Sequence, residues 1–235
     1  MSFERMLNLI GPEGAAKLAA AKVAVFGLGG VGSFAAEGLA RAGIGTLVLV
    51  DADTVAESNL NRQLIALKST VGRKKAEVMR ERILDINPSA AVTAFDVFFD
   101  ADTRELFDFS LYDYVADCID TITSKLLLIK ASAECGTPII SSMGMGNRLK
   151  PELIKYADIR GTKICPVAKI MRRELKRLGI EKLDVVYSEE EPLRPLAQAA
   201  ENGRHPPASI SFVPPVAGMM MAAKIVNAIL AKSRG

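Results

Sequence analysis

One glycine-rich turn, Gly27-Leu28-Gly29-Gly30-Val31-Gly32, constrains this chain more than any other segment. It follows the apolar run Lys22 to Phe26, which reads as a buried parallel strand, and it opens a helix read from Val31 to Ala42. The G-x-G-x-x-G spacing lets the backbone turn tightly between strand and helix. The helix start then offers free N–H groups to a phosphate. Asp51 stands 19 residues after Gly32, at the end of the next strand (Leu47 to Val50), where a carboxylate meets ribose hydroxyls. A structural glycine turn is the bland alternative, but the strand, helix and acid in register predict a nucleotide site at Gly27, Gly29, Gly30, Gly32 and Asp51.

The remaining pattern repeats the same alternation. A charged amphipathic helix spans Thr70 to Ile86, stopped by Asn87-Pro88, and strands follow at Ala91 to Phe98 and Tyr114 to Cys118. A helix from Thr121 to Cys135 leads to a strand at Ile139 to Ser142. Such alternation predicts an α/β fold: a Rossmann-like, doubly wound, mostly parallel sheet with a C-terminal α/β extension, over one domain of 235 residues. Beyond Gly144 the alternation loosens. Ser188 to Ser209, with Pro192, Pro195, Pro206 and Pro207, reads as a mobile loop; Ile210 to Val213 and a helix from about Val216 to Ala231 close the domain.

Three charged segments argue for a triphosphate rather than a dinucleotide. Ser58-Asn59-Leu60-Asn61-Arg62-Gln63 follows the second strand, so Arg62 is placed over the phosphates, where a planar guanidinium grips oxygens. Gly72-Arg73-Lys74-Lys75 crowds cations at a helix start against the macrodipole, which suggests an anion nearby. Asp117-Cys118-Ile119-Asp120 ends a strand near the topological switch; a carboxylate there suits Mg²⁺, which takes one or two carboxylates plus phosphate oxygens. Polar surface loops and, for Asp120, a helix N-cap are the competing readings.

Together GLGGVGS, DAD, SNLNRQ, VGRKKAE, INP and DCID resemble the ThiF/MoeB superfamily of ATP-dependent carboxylate adenylating enzymes, related to ubiquitin activators. The likeness runs from Arg5 to the C-terminal helix. It implies that Gly30, Asp51, Asn59, Arg62, Lys75 and Asp120 contact ATP or its magnesium. Asp51 would take the ribose, and Arg62 and Lys75 the phosphates. It also implies a homodimer in which Arg5 reaches the neighbour's ATP. FER-MLNLIGPEG, ADIRGTKICPVAKIMRRELKRLGI and KLDVVYSEE are similar to the tRNA threonylcarbamoyladenosine dehydratase branch, which implies a modified tRNA as substrate and leaves a sulfur-relay protein open as a further partner.

The formal charge of +3 does not by itself announce a nucleic-acid binder. Locally, however, Lys169, Arg172, Arg173, Lys176 and Arg177 fall within an arc of about 140° on a helix read from Pro166 to Leu178. Val167, Ile170, Met171, Leu175 and Leu178 take the other side. The basic face is either solvated surface or a candidate contact for tRNA phosphates. The three cysteines (Cys118, Cys135, Cys165) form no C-x-x-C pair, and none follows Cys165, against zinc, sulfur transfer or a carrier thioester. His205 reads as surface, and Met219-Met220-Met221 as gap-filling core. No signal peptide or transmembrane segment is evident, so the cytoplasm is expected. The rival readings are an activator of a sulfur-carrier C-terminal glycine, an NAD-dependent oxidoreductase, and a silent nucleotide-binding scaffold.

Overall fold

The computed structural model describes residues 3–194 and 207–231. Seven strands form one sheet: β1 (Lys22–Phe26), β2 (Thr46–Val50), β3 (Ala91–Phe95), β4 (Tyr114–Asp117), β5 (Ile139–Ser142), β6 (Ile154–Asp158) and β7 (Asp184–Ser188). Their order is β3-β2-β1-β4-β5-β7-β6, with every neighbour parallel except the pair β6 and β7. The chain winds outward in both directions from β1, so the crevice between the carboxyl ends of β1 and β4 is the switch point where ligands bind. Register brings those ends level, with Phe26 opposite Val50 and Asp117, and Asp117 opposite Ser141. The expected doubly wound, mostly parallel sheet is the one observed.

Helices α1 (Glu4–Ala20), α2 (Gly32–Arg41), α3 (Lys75–Ile86), α4 (Ile122–Glu134), α5 (Pro166–Arg177) and α6 (Val213–Ala231) cover the faces. Helix α1 bends at Gly11, whose φ of 70° breaks the turn so that Pro12 can start a second helical piece. α2 and α6 pack against each other over the main apolar core. Glu37 on α2 is buried and bonded by Arg41 and by Arg82 of α3, each at 2.7 Å. Burial pushes its carboxyl up, but the two guanidinium groups outweigh this and hold it below the ordinary range. By length and composition α6 could cross a membrane; Val213, Ala217, Met221, Ile225 and Ile229 instead bury one side of it in the core.

Several boundaries differ from the expected ones for physical reasons. Helix α3 begins at Lys75, not Thr70, because Gly72 (φ 85°) turns the chain and Val55 N–H bonds the Arg73 carbonyl. Strand β3 stops at Phe95: Phe99 leaves the strand direction to pack edge-on against Phe26 and Phe107. That aromatic cluster fills the β3-to-β4 connection, where an α/β unit would ordinarily place a helix. Residues 210–212 form neither strand nor helix, and α6 starts at Val213 with Pro214 and Pro215 in its first turn, where proline is tolerated.

Helix α1 and the antiparallel strands β6 and β7 have no counterpart in the sequence expectation. Within the segment expected as a loop, Ser188 closes β7 and Glu190 is buried, while residues 195–206, His205 among them, lie outside the described residues.

Candidate functional site

A cavity of about 750 Å³ lies along the carboxyl ends of β1, β2, β4 and β5. Of the glycine turn, Gly27, Gly29 and Gly30 line it; Gly32 does not. Two of these glycines are demanded by the protein itself. Gly27 has φ 86°, and a Cβ there would stand 2.7 Å from the Cys118 carbonyl oxygen. A Cβ on Gly32 would meet the Gly27 carbonyl oxygen at 1.7 Å. Gly29 has no such conflict, with only Gln63 Nε2 at 3.7 Å, so the packing of the protein itself does not demand a glycine there.

Asp51 clasps this turn. Its Oδ2 accepts from Leu28 N–H at 2.6 Å, and its Oδ1 accepts from Asp53 N–H at 2.8 Å. Burial raises its carboxyl above the ordinary range, while the Lys75 charge and both N–H donors pull the other way. Asn59, Arg62 and Lys75 line the same wall. Asn59 sits in a short 3-10 turn (Glu57–Asn59), its Oδ1 accepting from Ala56 N–H at 3.1 Å. Arg62 Nη1 donates to the Ser58 carbonyl and to Asn61 Oδ1, both at 2.9 Å. Lys75 is buried, and its ammonium reaches out to the exposed Asp53 at 2.7 Å. Arg73 and Lys74 point elsewhere, paired with Glu81 and Asp96.

The two acids after β4 part ways. Asp117 is fully buried and bound to Lys125 at 2.8 Å and to the Ser141 hydroxyl at 2.5 Å. Asp120 is exposed at the cavity edge, and Thr121 Oγ1 meets it weakly at 3.4 Å. The N-cap of α4 is Thr121, so the N-cap reading of Asp120 is set aside. Among the described residues, no group of three or more His, Cys, Asp or Glu is clustered closely enough to hold a metal ion by itself.

A family model described as the ThiF family matches residues 2–235. The chain belongs to the ThiF family. It is 43% identical over 240 residues to a tRNA threonylcarbamoyladenosine dehydratase of Bacillus subtilis (strain 168), covering 97% of this chain and 94% of that one. Among solved structures, the Escherichia coli tRNA N6-threonylcarbamoyladenosine dehydratase in complex with ATP superposes with a TM-score of 0.89. The two are 34% identical, over 97% of this chain and 93% of that one. The same enzyme in complex with AMP gives 0.89 at 33% identity, with the same coverage of both chains.

Arg5 and the five cations of α5 lie off the cavity of this ThiF-family chain, whereas Cys118 and Cys165 line it. Arg5 is exposed on α1 and lines no part of it. On α5, Arg173 and Arg177 share Glu174, Arg172 is hydrogen-bonded to the neutral Thr162, and Lys169, Arg172 and Lys176 have no ion pair among the described residues. Ala168, Met171 and Leu175 form its buried side, whereas Ile170 and Leu178, expected there, are exposed. Cys118 is half-buried beside Met221 Sδ, and burial pushes its thiol far up, against reactivity. Cys165 is buried at the start of α5, Cys135 is exposed, and of the methionine run Met221 is core while Met219 is exposed.

The sequence reading missed the cavity's far wall. Buried polar atoms normally find partners, yet Gln63 Oε1, Arg148 Nη2 and Ser209 Oγ are buried without one among the described residues, and all three residues line this cavity. Gly144-Met145-Gly146-Asn147-Arg148, directly after β5, carried the signal: a glycine-spaced segment at a strand's carboxyl end.

Proposed function

We propose that the protein is an ATP-dependent tRNA threonylcarbamoyladenosine dehydratase acting through carboxylate adenylation. The observation that carries this is the meeting of Gly30, Asp51, Arg62, Lys75 and Asp120 on one cavity, in a chain related along its length to dehydratases. A nicotinamide riboside gives Arg62 and Lys75 nothing to bind; a triphosphate does.

ATP and the modified tRNA are the substrates. Asp51 binds the ribose, the N–H groups at Gly29 and Gly30 cradle phosphate, and Asn59, Arg62 and Lys75 bind the phosphate chain. The threonyl carboxylate attacks the α-phosphorus; the α–β bridging P–O bond breaks and pyrophosphate leaves, taking the electron pair. Arg62 and Lys75 stabilise the charge that builds there. The modification's own carbamoyl group then closes onto the acyl carbon, AMP departs, and the net loss is one water. Intramolecular closure has a high effective molarity, so no protein nucleophile is required. Mg²⁺ fits this site through Asp120, since Asp117 is consumed by Lys125 and one free carboxylate plus phosphate oxygens suffices. When bound, the ion supplies positive charge to the phosphate oxygens.

The finer reading includes a homodimer, in which the partner subunit's Arg5 reaches ATP, tRNA contacts along α5, and room for a sulfur-relay partner. Nucleoside mass spectrometry after incubation with ATP and modified tRNA is the test. Loss of one water from the modified nucleoside, with AMP and pyrophosphate formed, is expected. An unchanged nucleoside, or pyrophosphate release stimulated by carrier proteins and not by tRNA, sinks the assignment. Asp120→Ala is expected to abolish most of that release.

A further inference from the structure

We infer that Arg148 recognises the carboxylate of the substrate, in the arm of the cavity away from the nucleotide cradle; this rests on the dehydratase reading above. Arg148 is 4% exposed. Its Nη1 donates to the carbonyls of Gly144 and Gly146, at 2.5 and 3.2 Å, and its Nε donates to the Glu190 carbonyl at 3.3 Å. Nη2 is buried with no partner among the described residues. All three of those acceptors are backbone carbonyls, so none neutralises the guanidinium. The buried Glu190 carboxylate forms no ion pair with Arg148; it accepts instead from the N–H groups of Leu149 and Lys150. A guanidinium stays charged at every relevant pH, and burying it without a directly paired anion is costly. An anionic ligand in the cavity removes that cost.

The position is rigidly built. Asn147 holds a left-handed backbone (φ 60°), and its Oδ1 and N–H exchange bonds with Ala208 N–H and carbonyl at 2.7 Å each. Leu193 N–H bonds the Asn147 carbonyl. Ser209, the next residue of the segment 207–209, accepts through its carbonyl from Asn61, the neighbour of the cavity-lining Arg62. Ala208 and Ser209 thus link Asn147 to the turn that carries Arg62, and the Ser209 hydroxyl is buried without a partner among the described residues.

Why a carboxylate and not a phosphate? Asp51 follows β2 and Arg148 lies beyond β5, and those two strands are three strand spacings apart in the sheet, about 14 Å. Arg62 and Lys75 already serve the β2 side. Met143, Met145, Val167 and Pro207 line the cavity together with Arg148, and Lys125, the other cation on the β4–β5 side, is already neutralised by Asp117. One positive charge matches a singly charged organic acid; a pyrophosphate would be left mostly unneutralised. The grip is also one-handed, because Nε and Nη1 are spent on carbonyls. Only Nη2 can hold a carboxylate oxygen, which leaves the other oxygen free to attack the α-phosphorus over the β1–β4 crevice.

The test compares Arg148→Gln and Arg148→Lys with the wild type in steady-state dehydration of modified tRNA. Arg148→Gln is expected to raise KM for the tRNA by about tenfold or more while KM for ATP stays within about twofold, with partial recovery in Arg148→Lys. Unchanged tRNA KM, or an ATP KM that rises in step, overturns the assignment. Because Arg148 also braces backbone carbonyls, a second measurement uses the wild-type protein alone. The free N6-threonylcarbamoyladenosine nucleoside and its uncharged carboxamide are titrated onto protein loaded with a non-hydrolysable ATP analogue. Preference for the acid is expected, and equal binding overturns the role of Arg148. Wild-type protein that never dehydrates the modified tRNA overturns the dehydratase reading itself, a separate outcome.

Discussion

Lys125 is a lysine in the first turn of α4 that is 1% exposed, because three groups take its ammonium: Asp117, the Ser141 hydroxyl and the Ser142 carbonyl. The pair forms part of the cavity wall through Lys125 and sits beneath the β4–β5 crevice. Removing one partner of a buried pair leaves an uncompensated charge, so Lys125→Ala is expected to lose about 3–5 kcal/mol of stability. Urea denaturation measures this, and a variant with the wild-type midpoint contradicts it. The same pair shows where reading residues from sequence stops. DCID displays two carboxylates at the strand end, three positions apart. Which one is free depends on Lys125, eight residues beyond Asp117, and on Ser141, another strand away. Asp51, Arg62 and Lys75 were legible because each follows a strand end or opens a helix at a fixed distance from the glycine turn. Arg148 was not, since its significance comes from an atom lacking a partner, which only three-dimensional packing exposes.

At the scale of elements, the phosphate cradle is held by a helix packing made possible by small residues. A Cβ on Gly218 of α6 would stand 2.2 Å from the Val31 carbonyl oxygen and 3.0 Å from Ala35 N, while Gly38 of α2 faces Ala222. Helix α6 thus presses on the first turn of α2, directly after the glycine turn that the proposed function assigns to phosphate. Gly218→Ala must push the helices apart, at about 1–3 kcal/mol of overpacking strain, and must tilt that first turn. A lower melting temperature and weaker ATP affinity are expected together, by calorimetry and by titration. Gly161→Ala, which meets nothing within 4 Å, is the control and should change neither. If Gly218→Ala lowers stability with ATP affinity intact, the helix packing is structural only. Elements of the central sheet were readable because parallel strands buried on both faces are continuous apolar runs. β6 is an edge strand whose burial runs buried, exposed, exposed, and α1 is broken by Gly11-Pro12; neither leaves a clean period. The start of α6 was placed a turn late because two prolines look like breakers until they are seen in a first helical turn.

For the molecule as a whole, the question is how a site sized for a nucleotide and a small acid engages a tRNA. The formal charge of +3 gives no long-range answer, and the five-cation stripe is weaker than its sequence suggests, since Glu174 sits between two of its arginines, while Arg172 keeps its charge but is tethered to Thr162. What survives is directional. Pro166 and Val167, the first residues of α5, line the cavity, and Lys169 and Lys176 continue outward along the same helix, about 10 Å apart at 1.5 Å per residue. A modified nucleotide in the far arm would therefore leave its flanking backbone running along α5, past two lysines that have no ion-pair partner among the described residues. Lys169→Glu with Lys176→Glu is expected to raise KM for modified tRNA several-fold. It should also flatten the dependence of log affinity on log salt by about 0.7 to 0.9 for each phosphate that is no longer neutralised. Turnover of the free modified nucleoside, which has no flanking phosphates, should be unchanged, because neither lysine lines the cavity. Equal damage to nucleoside and tRNA turnover would mean that α5 acts by positioning Pro166 and Val167. No effect on either would remove α5 from the tRNA path.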